Sequence, residues 1–167
     1  RQRFPEALLL LVPRHPERFA EVAALVVRSG LTCVRRSEER PCPPDTAVFL
    51  GDTMGELLLF YAAADLAFVG GSLVPVGGHN LLEPAALRVP ALTGPHYFNF
   101  AEITRSLLAA GGVREVADAT ALGEAVCEWL ASPAARAQAG EAGGAVVEAN
   151  RGALVRLLEV IEVAGKA

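Results

Sequence analysis

The chain has 167 residues, 52% of them hydrophobic, and carries a formal net charge of -4; a domain of this size buries roughly 70% of its unfolded surface, so its core needs no disulfide or metal staple. Its charges are interspersed and no basic tract occurs, which gives a nucleic-acid groove no electrostatic support. The apolar stretches are cut by Asp65 or by glycine and proline well short of the ~20 residues that a membrane span needs, so no transmembrane helix is predicted.

Ala7 to Val12 is a short, continuous apolar run closed by Pro13, the pattern of a strand buried on both faces in a parallel sheet. In Arg14-His15-Pro16-Glu17-Arg18-Phe19, Pro16 suits the first helical position, where its missing N–H has no role. Phe19, Val22, Ala23, Val26 and Val27 then fall on one helical face, and Gly30 is a natural stop. Leu31 to Val34 is a second strand, Arg35 to Asp45 a polar, proline-rich loop, and Ala47 to Leu50 a third strand. Gly51-Asp52-Thr53-Met54-Gly55-Glu56 opens a helix from about Met54 to Ala64, with Thr53 to Glu56 fitting an S/T-x-x-E capping box.

Leu66 to Val69 is the fourth strand, and it feeds Gly70-Gly71-Ser72-Leu73-Val74-Pro75-Val76-Gly77-Gly78-His79-Asn80-Leu81-Leu82-Glu83-Pro84, which runs into a helical segment from Glu83 to Leu87. Two glycine pairs permit positive φ and let another molecule approach the main chain. A glycine-rich turn between strand and helix also gathers free N–H groups at the positive end of the helix, which suits a phosphate or carboxylate. The stretch therefore reads as an anion-binding loop; the alternative is a tight crossover with no ligand.

Pro90 to Thr93 is a fifth strand, ended by Gly94-Pro95-His96-Tyr97-Phe98-Asn99-Phe100, and Ala101 to Ala110 is helical. Gly111-Gly112 breaks that helix, Val113 to Val116 is a sixth strand, and helices follow from about Thr120 to Leu130, Pro133 to Asn150 and Ala153 to Val163. Ala131 to Ala145, rich in alanine and glycine, is expected to pack loosely. Alternating strands and helices predict an α/β fold, a Rossmann-like doubly wound parallel sheet built as a single domain. Ligands sit beyond the carboxyl ends of such strands. Arg14, the Asp52 to Glu56 turn, the Gly70 to Glu83 loop and the Gly94 to Phe100 loop all follow strands and are expected on one rim.

Arg14 precedes a helix start, where its guanidinium can bind an anion in a bidentate way; the alternative is a surface pair with Glu17 or Glu21. Glu56 is either the carboxylate of a capping box or a ligand contact, and Met54 and Gly55 share that ambiguity because their N–H groups lie in the expected first helical turn. Asn80 and Glu83 have the spacing of a cap and its partner, although Pro84 pulls the expected helix start toward Glu83; as a ligand group, Glu83 can accept hydrogen bonds from a vicinal diol such as a ribose. His15, His79 and His96 lack metal-ligand spacing, and no metal or cofactor is assigned. Cys33, Cys42 and Cys127 show no C-x-x-C pattern and read as reduced packing residues in a cytosolic setting. There is no G-x-S-x-G elbow, no Walker A lysine motif and no G-x-G-x-x-G after the first strand.

Five stretches resemble the 3-deoxy-D-manno-octulosonic acid (Kdo) transferases of lipopolysaccharide assembly: Val12 to Phe19, Gly51 to Leu57, Ala64 to Leu73, Gly77 to Pro84 and Gly94 to Phe100. The resemblance implies the C-terminal, donor-binding half of a two-domain GT-B glycosyltransferase. Such enzymes move Kdo from CMP-Kdo to a lipid A precursor at the cytoplasmic face of the bacterial inner membrane, inverting the anomeric centre without a metal. By the family's pattern, CMP is held by Pro13 and Arg14, by Met54, Gly55 and Glu56, and by Asn80, Leu81, Leu82 and Glu83, with Gly71, Ser72, Gly78 and His79 in the same donor loop. The catalytic carboxylate and the lipid-facing surface belong to the N-terminal half, so no catalytic residue is expected here. A chain that begins Arg1-Gln2-Arg3-Phe4-Pro5 reads as an excised piece, soluble and able to bind donor but not to turn over. The rival readings are a GT-B transferase using a UDP- or ADP-sugar and a non-catalytic sugar-nucleotide-binding domain.

Overall fold

The computed structural model describes residues 2–151; the helix expected over Ala153 to Val163 lies outside the described residues. The chain divides into two compact units, Arg1–Ala64 and Asp65–Ala167.

The first unit carries strands β1 (Leu9–Leu11), β2 (Cys33–Arg35) and β3 (Val48–Leu50), all parallel, in the order β1-β3-β2. Leu10 and Val34 both stand in register with Phe49 on the central strand. Helix α1 (Phe19–Arg28) follows a 3-10 turn at Pro16–Arg18 and buries Val22 and Val26, as its apolar stripe predicts. Val26 packs with Ala47, Val48, Leu11 and Cys33. Helix α2 (Leu57–Ala62) sets Phe60 against Phe49, with ring centroids 6.3 Å apart.

Helix α2 begins later than the sequence suggests, and the expected capping box is not made. Gly55 sits at φ 83, outside the helical region, so the first helical turn cannot start before it. Glu56 occupies the N-cap with no side-chain cap bond, and the Thr53 hydroxyl donates to the Glu56 carboxylate rather than accepting from the main chain.

In the second unit, β4 (Ala67–Phe68), β5 (Ala91–Thr93) and β6 (Val113–Glu115) form another parallel sheet in chain order. Leu92, Val116, Ala125, Trp129 and Ala139 make its core, backed by Phe68, Leu73 and Val126. Around the sheet lie α3 (Leu82–Ala86), α4 (Ala101–Ala110), α5 (Ala119–Ala131) and α6 (Pro133–Asn150). Asp118 caps α5 through the Ala121 N–H at 2.9 Å, and Ser132 caps α6 ahead of Pro133. Arg136 donates to the last carbonyls of α5, Trp129 O at 2.7 Å and Leu130 O at 3.1 Å.

Loose packing of the alanine- and glycine-rich stretch is not what the fold shows. Gly140, Gly143 and Gly144 are buried on one face of α6. A Cβ on Gly140 would collide with the Arg88 carbonyl, and a Cβ on Gly112 would lie 2.6 Å from the Gly143 nitrogen. The small residues bring backbones together and leave no space to fill.

Candidate functional site

In each unit the loops that leave the carboxyl ends of the strands lie side by side. In the first, β1 delivers Pro13 and Arg14, and its neighbour β3 delivers Gly51 to Glu56. The two segments are stitched together: Gly51 N donates to Leu11 O at 2.9 Å, and a Cβ on Gly51 would meet Phe60 Cε2 at 2.8 Å and Val12 Cγ2 at 3.1 Å. Arg14 is exposed. Near it in sequence, Glu21 pairs with Arg18 at 3.3 Å and Glu17 lies 3.5 Å from His15.

The turn after β3 is fixed by Arg35, Arg36 and Ser37, at the start of the stretch expected to be a polar, proline-rich loop. Asp52 has a side chain only 1% exposed, and it accepts from Ser37 N at 2.9 Å, Ser37 Oγ at 2.6 Å and Arg35 Nε at 2.7 Å. Burial pushes the Asp52 carboxyl upward, but the two Ser37 bonds and Arg35 outweigh it and hold the group below its usual range. Glu56 accepts from Arg36 Nη2 at 2.9 Å and from the Thr53 hydroxyl. Those two bonds, Thr53's first and Arg36's second, lower its carboxyl too. Met54 is 65% exposed, and Gly55 has no heavy atom within 4 Å of where a Cβ would stand, so the surroundings of this pair are open on that side. The available signal was positional: Arg35-Arg36 comes at the end of a strand parallel and adjacent to β3, and so at the same edge.

In the second unit the glycine loop is locked from inside. Ser72 is fully buried; its hydroxyl donates to Val69 O at 2.7 Å and accepts from Gly94 N at 2.8 Å, while His96 N donates to Ser72 O at 2.9 Å. Gly78 N closes onto Gly71 O at 2.9 Å, and a Cβ on Gly71 would stand 3.1 Å from His79 Nε2. What approaches Gly77 and Gly78 is the segment from His96 to Asn99, where the sequence reading had reserved the space for a ligand.

Asn80 shapes the entry to α3. Its Oδ1 accepts from Leu82 N at 3.0 Å, and its Nδ2 donates to Glu83 Oε1 at 3.2 Å. Leu81 is buried, and the helix starts at Leu82, so Pro84 takes the third helical position and not the first. The structure thus brings Pro13 and Arg14 together with Met54, Gly55 and Glu56 in one unit, and Gly71, Ser72, Gly78, His79, Asn80, Leu81, Leu82 and Glu83 together in the other. Among the described residues, no three His, Cys, Asp or Glu side chains are grouped to hold a metal ion, and no helix is long and apolar enough to cross a membrane.

No family model matches the sequence. Among curated proteins, the 3-deoxy-D-manno-octulosonic acid transferase of Haemophilus influenzae is 51% identical over 161 residues, covering 96% of this chain and 38% of that protein. Its namesake from Bordetella pertussis is 44% identical over 159 residues, covering 95% and 37%. Among solved structures, the C-terminal CMP-Kdo binding domain of WaaA from Acinetobacter baumannii aligns with a TM-score of 0.79 at 42% identity, over 83% of this chain and 72% of that one. The chain belongs to the Kdo transferase family.

It spans a little over a third of the length of these two curated Kdo transferases. A spinosyn rhamnosyltransferase, SpnG, aligns at a TM-score of 0.51 and 20% identity over 91% of this chain and 44% of its own, a likeness of fold alone. The Rossmann-like α/β class with parallel strands, expected from the alternation of elements, is the one observed in this Kdo transferase chain.

Proposed function

We propose that this chain is the donor-binding domain of a glycosyltransferase that moves Kdo from CMP-Kdo to a lipid A precursor, with the donor held by loops at the carboxyl ends of the strands. The observation that supports it most is the 42% identity to a domain described as binding CMP-Kdo, together with open surroundings at Met54 and Gly55 and an exposed Arg14.

In this reading Arg14 forks onto the CMP phosphate and stabilises its charge as the bond to the sugar breaks. The Met54 and Gly55 amides contact the nucleotide through the main chain. Asn80 holds the start of α3, and Glu83 accepts from the ribose hydroxyls. Leu82 lines the site, while Gly71, Gly78 and His79 give the glycine loop its path. The buried side chains of Ser72 and Leu81 act from behind.

The base that activates the acceptor hydroxyl comes from an N-terminal acceptor domain outside this chain, and transfer inverts the anomeric centre without a metal or cofactor. The whole enzyme works at the cytoplasmic face of the bacterial inner membrane, which it meets through that other domain. The 167 residues alone bind donor and do not turn over.

Calorimetric titration of the purified chain with CMP, UMP and ADP tests the reading. CMP should bind, and UMP and ADP should bind at least tenfold more weakly. Equal affinity for UMP or ADP would make the chain a donor domain for another nucleotide sugar.

A further inference from the structure

Every charged or polar contact described between the segment after β2 and the turn after β3 points the same way: Arg35, Arg36 and Ser37 grip carboxylates that the turn supplies. The grip has two parts. Asp52, at the start of the turn, is inaccessible and serves the fold. Glu56, at its end, is half-buried, with Oε1 taken by Arg36 and Oε2 by Thr53. With each oxygen already accepting a bond from within the chain, the Glu56 carboxylate is held in place at the end of the turn. Between these anchors lie Met54 and Gly55, with Gly55 in the left-handed region and its surroundings open.

We propose that Arg36 is a positioning residue of the donor site, acting through Glu56 to hold the Met54–Gly55 main chain in the conformation that receives the nucleotide. This rests on the donor-binding reading above and reassigns Glu56 from direct contact to anchor. The Arg36–Glu56 pair is suited to a test, because its side chains are 34% and 27% exposed and such a pair adds little to global stability.

The variants are Arg36→Gln, Arg36→Lys, Glu56→Gln and the double variant Arg36→Gln/Glu56→Gln in the 167-residue chain. Arg36→Gln should weaken CMP binding about tenfold, since small misplacements of a binding group cost that order. It should shift the melting midpoint by no more than about 2 °C and speed amide exchange at Gly55. Arg36→Lys should recover part of the affinity. The double variant should be no weaker than the worse single one, as expected of two residues acting as a unit.

CMP affinity unchanged by Arg36→Gln overturns the inference alone. Losses that add in the double variant overturn it as well, because they mean that Arg36 and Glu56 each touch the nucleotide. Failure of the unsubstituted chain to bind CMP is a separate result, and it removes the donor reading and this inference together.

Discussion

Asn99 fills the space that a side chain on Gly77 would need. A Cβ built on Gly77 would stand 2.6 Å from Asn99 Cγ and 2.7 Å from Phe98 Cε2. Asn99 also bonds to the same turn through N to Gly77 O at 3.2 Å and Nδ2 to Val76 O at 3.3 Å. With φ at 104, Gly77 is further disfavoured for any other residue. Gly77→Ala should therefore destabilise the chain by about 2 kcal/mol or more, lowering the melting midpoint by about 4 to 8 °C. Thermal denaturation checks it; Gly77→Ala/Asn99→Gly should recover part of the steric cost, because Phe98 still crowds the position, and leave the backbone part.

Two other glycines should respond in opposite directions. Gly140 is buried against the Arg88 carbonyl, whereas Gly123, inside α5, has no heavy atom within 4 Å of a Cβ position. Gly140→Ala should cost about 2 to 3 kcal/mol by forcing α6 away. Gly123→Ala should add about 0.5 to 1 kcal/mol, because alanine loses less backbone freedom in a helix. Urea unfolding of the two variants decides both.

Asp52 sets an acid limit. Its carboxyl lies below the ordinary range in the folded chain, so its contribution to stability is complete above the unfolded value, near 4. That contribution is lost as pH falls through the lower folded value. Asp52→Asn should cost about 2 to 3 kcal/mol at neutral pH by breaking a carboxylate site whose acceptor is almost fully buried. It should also flatten the fall in stability below about pH 4. Melting midpoints from pH 2 to 7 for the two proteins check the sign.

Much of this architecture was legible in the residues, and the failures have specific causes. The six strands among the described residues overlap the runs that marked them, and Ala47 to Leu50 is largely buried as expected, whereas β1, read as buried on both faces, leaves Leu9 53% exposed. The early start assigned to α2 missed because a capping-box spacing cannot reveal that Gly55 adopts positive φ. The tight packing of α6 was hidden because bare glycines carry no apolar signal, although three of them share a face. At the candidate site, the positions along strand ends were readable, but the grip of Arg35, Arg36 and Ser37 on Asp52 and Glu56 spans 15 to 20 residues of sequence and depends on strand order β1-β3-β2. The glycine loop was recognised, while its internal filling by His96 to Asn99 was not.

Arg14 and Glu83 should fail in distinguishable ways. A charged hydrogen bond is worth ~1.5 to 3 kcal/mol, so Arg14→Ala should weaken CMP binding by roughly ten- to a hundredfold. Glu83→Gln should weaken CMP but leave the affinity for deoxyribose analogues of CMP unchanged, if its carboxylate accepts from the sugar. Equal losses for ribose and deoxyribose ligands would leave Glu83 only its bond with Asn80. Calorimetry with both ligands separates the outcomes.

The donor-site account stands most directly on amide chemical-shift mapping of the isotope-labelled chain as CMP is added. It predicts saturable shifts at Arg14, at Met54 and Gly55, and at Asn80 to Glu83, all following one binding curve. Saturable shifts that leave these residues out, or the absence of saturable shifts, would contradict it.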